Sequence, residues 1–420
     1  MKIHLYYSLE RVMKLTKKMK HNFIIILISN FIVSASTTMI MPFLSLYIDT
    51  FGNYSDSFVQ KWAGLIFGAT FITAFIMSPI WGRIADRFGY KPILIINCFG
   101  IATSFFLMGY VSNVYQFLLL RLLQGIVTGF IPTSMAFISK HTPKKTAGKT
   151  LGTLQIGSVG GTLFGPVLGG TLADAIGFSF TFKLTATAIT IAALIVMFFI
   201  HEPEIIQKKK SSLYTRKNIL TSIFQHRLML NIMFVTALIQ IGNFSIQPLL
   251  SLYVADLTTS EQVAFLAGLT FSAAGVGSLL FGRFWGKLSD HYGYEKILIF
   301  LLFVTMLTII PQAIVTSLWQ LILLRFLFGI FSGGLIPITT AIIRRDAPIE
   351  VQGEVMGYNQ SFRFLGNIIG PAFGGFVSGL FSISSVFYTT GLLFFIAAFI
   401  VYLLRKLPKK YFEDILKECK

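Results

Sequence analysis

The chain has 420 residues, 54% of them hydrophobic and 12% charged, with a formal charge of +18. A soluble protein carries about 25% charged residues, so a chain with half that share and 43 phenylalanines cannot cover its own apolar surface in water and reads as a protein of many membrane spans. The positive charge does not mark a nucleic-acid binder, because it falls in short segments between apolar runs and not on one face of a soluble domain.

Twelve apolar runs are predicted as spans: 22–48, 61–82, 92–111, 115–139, 151–173, 182–200, 228–254, 262–284, 297–317, 318–343, 355–379 and 384–404. Each is close to the ~20 residues that cross a bilayer. Most of the 35 Lys and Arg residues lie in the segments on the N-terminal side of the membrane. That asymmetry puts both termini in the cytoplasm, with contact to anionic lipid as a secondary consequence. The basic first 21 residues imitate a signal peptide. Cleavage is not expected, because the run continues to Ile48 and has a counterpart in span 7.

Taken in chain order, span 1 holds Asn30 in its middle, ends in Pro42 to Tyr47, and places Asp49 at its outer end. Span 2 runs into a polar turn, Trp81 to Lys91, WGRIADRFGYK. Span 4 carries LLLRLLQGIVTG around Arg121, a charge deep in an apolar run. Such a charge is costly and a functional candidate by default; the bland alternative is that it satisfies backbone carbonyls. Span 5 reads GSVGGTLFGPVLGG from Gly157 to Gly170. Its Gly157, Gly161, Gly165 and Gly169 are four apart and form a stripe without side chains, where helix backbones can meet closely. Pro166 removes a backbone hydrogen bond and bends the helix.

The second half repeats the first. Trp81, Asp86 and Gly89 recur as Trp285, Asp290 and Gly293, each 204 residues on, in WGKLSDHYGYE. Pro42 and Ser45 recur as Pro248 and Ser251, Arg121 recurs as Arg325 in ILLRFLFGIFSG, and the glycine stretch recurs as GNIIGPAFGG with Gly366, Gly370, Pro371 and Gly374. Matches in one order at nearly constant spacing mark a duplication. The predicted organisation is a cytoplasmic segment 1–21, a six-span bundle 22–200, a cytoplasmic linker 201–227, a second six-span bundle 228–404 and a cytoplasmic tail 405–420.

Parallel six-helix repeats build one large class of secondary transporters, and here the resemblance becomes specific. WGRIADRFGYK, with Gly82, Asp86, Arg87, Gly89 and Lys91, resembles the loop 2–3 signature of the major facilitator superfamily. LLLRLLQGIVTG resembles its span 4 signature, and the glycine-proline stretch resembles the span 5 signature of its drug antiporters. The pattern from 22 to 404 is most similar to the twelve-helix multidrug efflux group of bacteria. The resemblance implies an all-α membrane protein of two six-helix bundles in the cytoplasmic membrane. It implies export of lipophilic or amphipathic drugs by proton antiport; export of a dedicated metabolite such as a siderophore, peptide or lipid is the alternative on the same scaffold. An uptake symporter, a sensor or a membrane enzyme are further readings, and no cluster of catalytic residues supports an enzyme.

Site residues follow from the resemblance. Asp86, Arg87, Gly82, Gly89 and Asp290 are expected as a conformational latch on the cytoplasmic side, against the plain reading of a solvated turn. The second copy departs from the pattern, with His291 in place of the Arg and Glu295 in place of the Lys. Arg121, Asp49 and Arg325 are candidates for coupling, although Asp49 also reads as a solvated helix cap. None of the 17 acids lies in mid-span, so no central proton carrier is evident. Gly161, Gly165, Pro166, Gly169, Gly170, Gly370 and Pro371 form the antiporter helix motif. Asn30, Gln155, Gln240, Asn243, Phe244, Gln247, Gln360 and Arg363 are candidates for the substrate cavity, since a large apolar pocket with few polar groups suits amphipathic ligands. The two cysteines make no metal spacing, the six histidines lie outside the spans, and Gly148-Lys149-Thr150 lacks the glycine of a phosphate loop. No cofactor, metal or nucleic acid is expected; a monomer working with a small-molecule substrate, protons and membrane lipid is.

Overall fold

The computed structural model describes residues 17–142, 144–202, 226–347 and 351–405. The predicted N-terminal segment through residue 16, linker residues 203–225 and the tail from 406 lie outside the described residues. Among the described residues every regular element is a helix. The first repeat holds α1 (Lys17–Met39), α2 (Leu44–Asp49), α3 (Asp56–Phe88), α4 (Tyr90–Met108), α5 (Val114–Ile126), α6 (Phe130–Lys140), α7 (Lys144–Ile176) and α8 (Phe178–Phe199). The second holds α9 (Arg227–Ser245), α10 (Leu250–Leu257), α11 (Val263–Tyr292), α12 (Tyr294–Ile309), α13 (Leu318–Ser332), α14 (Leu335–Asp346), α15 (Gln352–Leu380) and α16 (Ile383–Leu404).

Helices dominate because in lipid every backbone polar group must be satisfied within its own segment. Among the described residues eleven spans are long and apolar enough to cross a membrane. The remaining predicted span is α15, 29 residues long. It falls outside that set because it carries Asn359, Gln360, Arg363 and Asn367 among its glycines. Four spans are broken at equivalent places. Span 1 turns at Pro42 between α1 and α2, and span 7 turns through a 3-10 segment, Gln247–Leu249, around Pro248. Spans 4 and 10 break at Gly129 and at Gly333-Gly334, between α5 and α6 and between α13 and α14. A proline cannot donate the helical bond, and i to i+3 bonds such as Met41 N to Thr38 O (3.1 Å) and Leu249 N to Ile246 O (3.0 Å) take over.

By contacts the described chain falls into two compact units. The first lies within residues 1–47, 69–206 and 261–268, the second within 48–68, 207–260 and 269–420. In the first unit α1 packs on α7 and α4 on α8. An added Cβ on Gly157, Gly161, Gly165 or Gly169 would overlap the carbonyl oxygen of Leu27, Phe31, Ala35 or Met39, four residues apart on α1. Tyr47 donates to the Met108 carbonyl at 3.1 Å and sits among Phe43, Phe117, Phe178 and Phe182. In the second unit α9 packs on α15 and α12 on α16. The glycines of α15 repeat the arrangement, with Gly366, Gly370 and Gly374 over the carbonyls of Ala237, Ile241 and Ser245. The repeat mate of Tyr47, Tyr253, donates to the Gln312 carbonyl at 2.7 Å. The period of four predicted for the stripes is thus met by a carbonyl row of the same period on the facing helix.

Candidate functional site

The glycine-proline helices present a second face. In the first unit, Gly268 of α11 lies under the Pro166 carbonyl, and Gly170 lies over the Ala264 carbonyl. In the second unit, Gly64 of α3 lies under the Pro371 carbonyl, and Gly375 lies over the Gln60 carbonyl. A Cβ at any of these four positions would overlap backbone. Gly161, Gly165, Gly169 and Gly370 line the first face; Pro166, Gly170 and Pro371 line the second.

The two deep arginines are equally buried and differently placed. Arg121 on α5 is 5% exposed and donates from Nη1 to Gln124 Oε1 at 2.8 Å, one turn along. Arg325 on α13 is also 5% exposed, but the residue one turn along is Phe328. Its guanidinium stands 5.8 Å from the ring centres of both Phe328 and Phe387. Its Nε and Nη2 are buried without a hydrogen-bond partner. Arg325 lines a cavity of about 380 Å³ together with Asn243, Phe244, Gln247, Phe271 and Phe328, all in the second unit. The structure therefore brings three predicted cavity residues to a predicted coupling arginine.

The other candidates divide. Gln240 donates to Asn367 at 2.8 Å and accepts from Asn243 at 3.5 Å. Arg363 donates to Gln360 at 3.0 Å. Gln155 and Gln360 are exposed. Asn30 is fully buried and accepts from Ser134 at 2.8 Å. Asp49 ends α2 in an exposed position.

At the repeated loops, Asp86 accepts from the Tyr90 hydroxyl at 2.6 Å, and Asp290 accepts from the Tyr294 hydroxyl at 2.6 Å. Gly89 and Gly293 hold φ of 100° and 97°, a left-handed backbone that favours glycine. The amides that open α4 are taken by Glu202, which accepts from Tyr90 N at 2.7 Å and Lys91 N at 2.9 Å. Gly89 leaves room for that carboxylate, since an added Cβ would lie 2.8 Å from its Oε2. A carboxylate at a helix N-terminus satisfies orphan donors and gains from the dipole. Asp174 does the same for α11, accepting from Ala264 N at 3.2 Å and Phe265 N at 2.7 Å. Glu295 pairs with Arg345 at 2.9 Å. Trp81 and Trp285 donate to the carbonyls of Ile126 and Ile330 at 2.6 and 2.7 Å, tying each loop to the broken span beside it. A cavity of about 140 Å³ lined by Trp81, Gly82, Asp86, Tyr90 and Gly129 lies behind the first loop.

The family model described as Major Facilitator Superfamily matches residues 26–258 and 232–418. The chain belongs to the Major Facilitator Superfamily. This transporter is 54% identical over 383 residues to the uncharacterised MFS-type transporter YuxJ of Bacillus subtilis strain 168, covering 91% of its own length and 98% of that protein. It is 39% identical over 372 residues to the multidrug resistance protein MdtG of Salmonella dublin, covering 88% and 92%. Its fold is that of a bacterial homologue of the human lysosomal transporter Spinster, solved inward-facing and unoccupied, at TM-score 0.76 and 15% identity over 96% of this chain and 99% of that one. It is a multi-pass membrane protein of a family of small-molecule transporters, not an enzyme.

Sequence reasoning about this transporter missed Glu202, Asn367 and Ser134. Glu202 lies just past the end of α8, where an acid reads as solvated, and only the fold shows whose amides it faces. The signal for Asn367 was present, since it lies one turn along from the singled-out Arg363 on α15.

Proposed function

We propose that this transporter exports lipophilic and amphipathic compounds, drugs among them, across the bacterial cytoplasmic membrane in exchange for protons. The observation that carries the reading is the 39% identity, along nearly the whole chain, with a protein named for multidrug resistance. The glycine-proline helices support it, because helices without side chains at a backbone contact can shift against each other with little repacking. The two repeats act as two bundles, 22–200 and 228–404, around a midplane site that opens alternately to each side. Proton and substrate must favour different states for a gradient to drive this cycle. Asp86, Arg87, Gly82, Gly89 and Asp290 form the cytoplasmic latch. Arg121 fixes span 4, and Asp49 exchanges the proton. Gln155, Gln240 and Gln360 contribute to the substrate path. The transporter works as a monomer with both termini in the cytoplasm.

The test is a panel of drugs and dyes applied to cells stripped of their own exporters, with and without this transporter. Several-fold lower sensitivity to chemically unrelated apolar compounds is expected. Unchanged sensitivity, with secretion of one metabolite restored, would establish a dedicated exporter instead.

A further inference from the structure

The two repeats treat the same buried arginine differently. Arg121 has Gln124 as an acceptor one turn along, bonded at 2.8 Å. At the mate of Gln124, 204 residues on, stands Phe328, whose ring offers Arg325 a face and no oxygen. Arg325 makes neither of the ion pairs found among the described residues, which both belong to Arg345. Its Nε and Nη2 are enclosed and unpartnered. The backbone does not fill the gap, although it does so for hydroxyls throughout the bundle.

A charge removed from water without a counter-charge is strongly unfavourable. A protein that keeps one beside a cavity has left room for the counter-charge to arrive. The cavity is about 380 Å³, at the small end of the roughly 300–1,000 Å³ of ligand pockets. It joins Arg325 to three aromatic rings, Phe244, Phe271 and Phe328. Two amide oxygens at its wall, Asn243 Oδ1 and Gln247 Oε1, also lack partners. The mates of Asn243 and Gln247 at the 206-residue spacing of spans 1 and 7 are Thr37 and Met41, so this polar wall belongs to the second repeat.

We infer that Arg325 is the anchor of an anion site: the cavity takes the carboxylate, sulfonate or phosphate of an amphipathic compound on the guanidinium, with its apolar body among the phenylalanines. Arginine suits this, because its planar fork pairs with such groups through two hydrogen bonds. Asn243 and Gln247 accept from a hydroxyl or amide N–H beside the acidic group. The inference deepens the proposed export of amphipathic compounds and rests on it: acidic amphiphiles, and not only lipophilic cations, are substrates. The same chemistry is offered by an anionic lipid head group, and the experiment separates the two sources.

The full-length protein, purified in detergent with phosphatidylcholine, is titrated with three probes on one scaffold: 2-naphthoate, 2-naphthamide and 2-naphthylmethylammonium. The expected result is naphthoate binding about tenfold or more tighter than naphthamide, the gain of one charge-assisted pair. Arg325→Gln should remove that preference, bringing naphthoate and naphthamide to within about twofold of each other, and its unchanged helical circular dichroism shows that the variant is folded. Phe328→Gln should lower naphthoate affinity several-fold, because it gives Arg325 the internal acceptor that Arg121 has. Phosphatidylglycerol that displaces naphthoate from the wild type, and not from Arg325→Gln, supports the anion site and identifies lipid as its occupant. Equal affinity for naphthoate and naphthamide, or a preference that survives Arg325→Gln, overturns the site without touching the broader export reading. Drug-panel protection would still stand in that case.

Discussion

Gly64 lies so close under the carbonyl oxygen of Pro371 that a side chain of any size would overlap it, and the repeat mates Gly268 and Pro166 make the same contact. Two glycines without side chains and two proline-containing helices therefore meet through backbone. Valine at either glycine forces the helices apart, an overpacking that costs about 1–3 kcal/mol. Gly64→Val and Gly268→Val should each lower transport at least tenfold at unchanged abundance in the membrane, measured as dye efflux per unit of protein. Gly152→Ala, where an added Cβ meets nothing within 4 Å, should transport normally. Normal transport by both valine variants would show that the contact is packing alone.

The bond from Arg121 to Gln124 predicts a loss of stability. Gln124→Leu removes a buried acceptor from a charged donor, a change of about 1–3 kcal/mol. The unfolding temperature of the purified protein should fall by several degrees. Gln124→Glu keeps an acceptor and should recover most of the loss.

Glu202 caps α4, and such caps are worth about 0.5–2 kcal/mol. In Glu202→Ala the amides at the start of α4 should exchange with deuterium faster, by severalfold, while the centre of α4 stays protected. Glu202→Gln keeps an oxygen without the charge and should fall between. Mass spectrometry of the peptide spanning residues 89–95 reads this directly.

For the latch, Asp86→Asn and Tyr90→Phe separate two roles. Both disturb the 2.6 Å bond between the two side chains, but only the first removes a charge. The latch reading expects transport to fall several-fold in Asp86→Asn, in line with loss of a charge that interacts with a helix end, and to stay near normal in Tyr90→Phe. Equal, small effects would mark a solvated turn.

Much of this was legible in the sequence because periodicity carries it. The spacing of four in Gly157, Gly161, Gly165 and Gly169 announced a close helix contact, and the carbonyls of Leu27, Phe31, Ala35 and Met39 answer it. The tandem repeat announced paired loops, and Trp81 and Trp285 make paired bonds. Helix caps formed across the fold were not legible. Glu202 fell in the stretch that reads as linker, because its partner amides lie 112 and 111 residues away. Asn30 was singled out for its place in mid-span; its Oδ1 accepts from Ser134, a partner 104 residues away that no local pattern announces, and its Nδ2 is buried without a partner. Arg325 read as a copy of Arg121, and the departure at Phe328 acquired meaning only when the cavity beside it was seen.

The most direct test of proton-driven export is flux in proteoliposomes loaded with a fluorescent amphipathic dye, under a pH gradient imposed in either direction. Dye should move against its own gradient whenever protons run the opposite way, should reverse with the sign of the gradient, and should stop when an ionophore collapses it. Movement that follows the dye gradient alone, at the same rate with and without the pH difference, would contradict proton antiport.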